Sequence, residues 1–89
     1  MEVILNGGNF IDKDSAHAYL KTQLSFPDYY GGNLDALYDC LMELSDCTIL
    51  LQDPAALHQL GDYAAPLLDT LMDAARDNPH LTLTISNGN

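Results

Sequence analysis

Three short apolar segments are spaced so far apart that they constrain the fold more than any other feature. Glu2–Leu5 and Leu81–Ile85 read as strands at the two ends, and the unbroken run Thr48–Leu51 reads as a buried strand in the middle. The stretches between them carry helical periodicity, not tight turns. Strands joined through helices need crossover connections, which place them parallel in one sheet with right-handed crossovers. The expected fold is α/β: a three-stranded parallel sheet packed with four helices in the order β-α-α-β-α-α-β. A chain of 89 residues holds a single core, so residues 1–89 form one domain. So few residues cover one face of the sheet, or little more.

The helix boundaries follow from caps and breakers. Asn6-Gly7-Gly8-Asn9 ends the first strand. Asp14 or Ser15 caps a helix to about Leu24, with Ala16, Tyr19, Leu20, Gln23 and Leu24 on one side. Phe26-Pro27-Asp28-Tyr29-Tyr30-Gly31-Gly32 breaks it, and Asn33 caps the next helix. There Leu34, Leu37, Tyr38, Leu41 and Leu44 repeat with the spacing of a buried face. Asp53 or Pro54 opens a short helix through about Leu60, closed by Gly61. A last helix starts near Asp62, tolerates Pro66 in its first turn, buries Ala64, Leu68, Leu71 and Ala75, and stops at Asn78-Pro79.

Charge narrows the function. Thirteen acids oppose three bases (Lys13, Lys21 and Arg76), for a net charge of −10. Such a surface repels the phosphates of DNA and RNA and favours a basic partner, or serves solubility alone. No apolar run approaches the roughly 20 residues of a membrane span. Met1–Leu5 lacks the basic and long apolar regions of a signal peptide, so the expected compartment is the cytoplasm. Cys40 and Cys47 are too few for a disulfide framework and are expected as reduced thiols, Cys40 buried and Cys47 more exposed.

The chemistry concentrates on the second helix. Opposite its apolar face lie Asp35, Asp39 and Glu43 at spacings of four, with Asp46 just past the end. Such a row repels itself, and no Lys or Arg lies between Leu34 and Asp53 to relieve it. Glu43 and Asp46 also stand at the negative end of the helix dipole. Local rules broken in this way are expected at functional sites. Tyr29 and Tyr30 precede the helix and Tyr38 lies beside the carboxylates, a pairing typical of protein-binding surfaces. A plain solvated face, with the tyrosines covering the core, is the competing reading. An enzyme using Asp35, Asp39 or Cys40 has less support. His17, His58 and His80 are scattered without metal-ligand spacing, and no nucleophile or phosphate-binding motif is present, so no cofactor and no metal are expected.

The segment Pro27-Asp28-Tyr29-Tyr30-Gly31-Gly32-Asn33-Leu34-Asp35-Ala36-Leu37-Tyr38-Asp39-Cys40-Leu41 closely resembles the signature of the barstar family, P-x-Y-Y-G-x-N-L-D-A-L-[WY]-D-C-L. Barstars are intracellular protein inhibitors of barnase-type ribonucleases, and their three-stranded parallel sheet with four helices matches the order read above. The resemblance implies a non-enzymatic inhibitor of an extracellular, guanyl-type ribonuclease. The second helix and the loop before it would plug the enzyme's active site, imitating RNA phosphate. By motif position Asp39 is the central carboxylate, Asp35 the second, and Tyr29 the aromatic that packs on the catalytic histidine. Gly31 and Asn33 are loop contacts, and Tyr38 stands in place of a tryptophan. An ungapped match places Asp73 where the family carries an interface glutamate. Glu43 extends the same carboxylate row. Leu44 replaces an aromatic residue, Gly32 an acidic or polar one, and the family's cysteine near the last strand is missing. The expected partner is a basic ribonuclease bound one to one by a free monomer. A barstar-like immunity or interaction module for a different basic nuclease toxin or protein partner would use the same face.

Overall fold

A computed structural model describes residues 1–86. The last three residues of the expected 1–89 domain lie outside the described residues. Strands β1 (Glu2–Asn6), β2 (Cys47–Gln52) and β3 (Leu81–Ser86) form one sheet in the order β1-β2-β3. Both pairings are parallel, with Val3 beside Ile49 and Ile49 beside Leu83. Successive side chains alternate between the faces. Val3, Leu5, Cys47, Ile49, Leu51 and Leu81 are buried on one side. On the other, Ile4 remains 53 % exposed and Thr82 and Thr84 face solvent. The sheet is therefore covered on one face, as the chain length requires.

The helices bury their apolar residues in the same cluster as that face. Helix α1 (Lys13–Leu24) inserts Ala16, His17, Leu20 and Leu24. Its N-cap is Asp12, not Asp14 or Ser15, because the Asp12 carboxylate accepts the Ser15 amide at 2.8 Å. The Tyr19 hydroxyl accepts from the Asn6 amide at 3.0 Å and ties α1 to the outer edge of β1. Helix α2 (Leu34–Met42) buries Leu37 and Leu41, and helix α3 (Ala64–Asp77) buries Leu67, Leu71 and Ala74. The α3 stripe thus centres on Leu67 and Ala74, while Ala64, Leu68 and Ala75 flank it half-buried. Leu67, Leu71 and Ala74 follow the i, i+4, i+7 row that runs on into buried Asn78, so the face is rotated one residue from the expected stripe.

There are three α-helices among the described residues, not four. The segment after β2 is a run of 3₁₀ turns, Pro54–Tyr63, interrupted at Gly61 (φ 60°, ψ −131°). Asp53 enters it at φ 51° with no side-chain capping bond. Without a cap, and broken near its end, the segment is too short to propagate α-helical bonding. It crosses against the 3₁₀ turn Gly7–Asn9 that follows β1. Gly7 is buried there, and a Cβ on it would overlap the Asp53 carbonyl oxygen.

The two thiols are placed the reverse of expectation. Cys47 opens β2 on its core face and is 2 % exposed, whereas Cys40 is half-buried between the apolar stripe of α2 and its carboxylate row. No helix among the described residues is long and apolar enough to cross a membrane.

Candidate protein-binding surface

Helix α2 starts where two local signals coincide. Gly32 adopts φ +67°, a conformation in which a side chain would be strained, and turns the loop toward the helix. Asn33 then caps it, its side-chain oxygen accepting the Ala36 amide at 2.8 Å. The Asn33 side chain is therefore engaged within the protein. Leu37 and Leu41 point into the core, which turns Asp35, Asp39 and Glu43 to solvent. None of the ion pairs among the described residues involves these three carboxylates. Asp46 departs from the row. It sits past the helix at φ 49°, and its carbonyl accepts from the N-terminal ammonium at 2.6 Å.

The two loop tyrosines have separate tasks. Tyr29 is 82 % exposed. Tyr30 packs on Phe26 with ring centroids 4.9 Å apart, and its hydroxyl meets His17 Nδ1 at 2.6 Å. The other ring nitrogen of His17 meets the Tyr63 hydroxyl, also at 2.6 Å. A neutral imidazole donates to one hydroxyl and accepts from the other, so this 4 %-exposed histidine is fully satisfied. Burial, then nearby Lys13, holds its pKa below the ordinary value, and burial pushes the Tyr30 phenol well up. The Tyr30–His17–Tyr63 chain thus anchors the loop to α1 and to the approach to α3.

Between loop and helix lies an open cleft of about 230 Å³, lined in part by Tyr29, Tyr30, Gly31, Asp39, Cys40 and Glu43. A Cβ at Gly31 would meet only the Asn33 Nδ2 at 3.4 Å and the Ala36 Cβ at 3.6 Å, ordinary contacts that leave room for a small side chain there. Burial raises the Cys40 thiol, with Glu43 and Asp39 adding to the effect. The thiol is thereby kept protonated, the opposite of what a cysteine nucleophile needs. Among the described residues no cluster of three or more His, Cys, Asp or Glu could hold a metal.

A second part of the surface comes from α3. The Tyr38 hydroxyl donates to Asp77 at 2.6 Å. Arg76 donates through Nε and Nη2 to the two oxygens of Asp77, at 3.0 and 3.2 Å, and through Nη1 to Asp73 at 3.2 Å. The arrangement holds Asp77 below the usual carboxylate range, through Arg76 first and Tyr38 second, and raises the Tyr38 phenol. Tyr29, Gly31, Asp39 and Glu43 therefore share the cleft, Asp35 stands on the first turn of the same helix, and Asp73 lies across the α2–α3 boundary. Asp77, Arg76 and the His17–Tyr63 pair carried no signal in the local pattern.

Asn78 is the support beneath the surface. Only 3 % exposed, it donates from Nδ2 to the carbonyls of Leu41, Leu44 and Met42 at 3.0, 2.9 and 3.3 Å, and its Oδ1 accepts the His80 amide at 2.9 Å. It ties the end of α2 to the end of α3. In sequence it reads only as the first half of a helix-stopping Asn-Pro pair.

Residues 1–85 match the family model described as Barstar (barnase inhibitor). The chain is also 38 % identical over 79 residues to a Bacillus subtilis (strain 168) protein named "Putative ribonuclease inhibitor YrdF", an alignment covering 85 % of this chain and 87 % of that protein.

Proposed function

The chain belongs to the barstar family, and on that premise we propose that it inhibits a basic ribonuclease of the barnase type by covering the active site with α2 and the loop before it. The observation that carries this reading is the row Asp35, Asp39 and Glu43, solvent-facing and without ion pairs, beside the 82 %-exposed ring of Tyr29. An enzyme that cleaves RNA must hold a polyanion and so presents a basic cleft. A net charge of −10 attracts it at long range and speeds encounter. On contact, Asp39 takes the place of a substrate phosphate, with Asp35 on the turn before it. The 230 Å³ cleft accepts a protruding imidazole or guanidinium, which then lies against Tyr29 and between the carboxylates of Asp39 and Glu43. The protein acts by occupancy, as a monomer bound one to one in the cytoplasm, and carries out no reaction of its own.

The test is titration of a barnase-type ribonuclease with this protein, beside Asp39→Ala. The native chain should inhibit stoichiometrically. Asp39→Ala should weaken inhibition at least about 30-fold, the ordinary loss when a desolvated partner charge is left unpaired. No inhibition by a folded native chain would refute the choice of enzyme and turn the search to another basic nuclease.

A further inference from the structure

The three cations of this protein are not equivalent. Lys13 lies 5.2 Å over the Tyr63 ring and Lys21 lies 3.9 Å from Asp28, both away from the α2–α3 boundary. Arg76 alone stands at that boundary. Its fork meets both oxygens of Asp77, its remaining nitrogen meets Asp73, and Asp77 also accepts from Tyr38 on α2. The surface therefore has two electrostatic zones. Along α2, three carboxylates have no counter-ion. At the end of α3, two carboxylates share one.

We infer that Arg76 is a specificity-determining residue that withholds Asp73 and Asp77 from partner cations. This deepens the inhibitor reading above and rests on it. A ribonuclease whose positive charge is confined to the cleft entered by α2 meets only bare carboxylates. A ribonuclease that is basic out to the rim opposite α3 must bring a cation against a guanidinium already seated on its carboxylates. At roughly 7 Å in water, two like charges disfavour approach about threefold, and more where the contact excludes water. Wrong partners are commonly rejected by such a like-charge encounter. The network is exposed, with Arg76 side-chain exposure at 68 %, so its contribution to folding is small and its effect falls on binding.

The experiment measures affinity of the full chain for a barnase-type guanyl-specific ribonuclease that is basic out to the rim opposite α3, at low and at physiological salt, for the native protein and for Arg76→Gln, Arg76→Glu, Arg76→Lys, Asp39→Ala, and Asp73→Asn alone and with Arg76→Gln. Thermal unfolding confirms that each is folded. Arg76→Gln should tighten binding about threefold, Arg76→Glu about tenfold, and Arg76→Lys should stay near native, with the gains shrinking as salt rises. Asp73→Asn should cost more when combined with Arg76→Gln than alone, because only then is Asp73 free. A gain in affinity is a result that structural damage does not produce. Unchanged or weaker binding by Arg76→Gln, while the native chain binds and Asp39→Ala weakens that binding, overturns the inference alone. Failure of the native chain and both charge variants to bind overturns the inhibitor reading, and the inference falls with it.

Discussion

Replacing Asn78 tests how far the stability of the fold depends on the seam between α2 and α3. Its amide carries two hydrogens, directed at Leu41 and Leu44 with Met42 sharing, and its oxygen takes the His80 amide. The carbonyls are those at the exit of α2, where helical partners run out. Asn78→Ala removes about three effective hydrogen bonds, each contributing about 1 kcal/mol net. The expected loss is about 3 kcal/mol, a fall in melting temperature of about 12 °C or more for a domain of this size. Asn78→Asp is nearly isosteric but aims a carboxylate oxygen at three carbonyl oxygens, so at neutral pH it should be worse than Ala and should recover partly on acidification. Urea unfolding reads both, and an unchanged m-value shows that the native state still forms. A loss below about 1 kcal/mol for Ala, or an Asp variant milder than Ala at neutral pH, would refute the assignment.

Other outcomes follow from the same geometry. Because burial, then Lys13, depresses the His17 pKa, the native state favours the neutral ring. Its contribution is fully present above the unfolded value of about 6.5 and is lost as pH falls through the lower folded value. His17→Gln should therefore flatten the acid side of a plot of urea midpoint against pH, and an unaltered slope would contradict the burial argument. Gly7→Ala forces a methyl onto the Asp53 carbonyl and should cost about 1–3 kcal/mol in urea unfolding. Gly8→Ala, whose Cβ would meet only the Asn6 side-chain oxygen at 3.1 Å, should cost less. In stopped-flow association with a basic ribonuclease, the on-rate should fall steeply with salt while dissociation changes less. A salt-independent on-rate would remove the steering argument.

The order of strands and helices was legible because it rests on short-range patterns. Asn33 as cap, the Leu37–Leu41 stripe and the spacing of Asp35, Asp39 and Glu43 lie within one turn or two of each other, and the helical period alone assigns them to faces. The parallel sheet followed from connection length, and the family from Pro27–Leu41. The 3₁₀ run at Pro54–Tyr63 escaped because a short apolar segment after a proline reads the same in either helical form. What only the tertiary structure decided involves partners far apart in the chain. Tyr30 became the anchor and Tyr29 the exposed ring because the Tyr30 hydroxyl meets His17, 13 residues earlier, and His17 in turn meets Tyr63, 46 residues after it. Tyr38 found Asp77 across 39 positions, and Asn78 reached Leu41 across 37. Cys47 rather than Cys40 went inside because a strand's first core-facing position is closed by whatever packs over it. Local periodicity says which way a side chain points. Only the packing of one element on another says what it meets, since hydrogen bonds and burial depend on distances in space that no sequence spacing encodes.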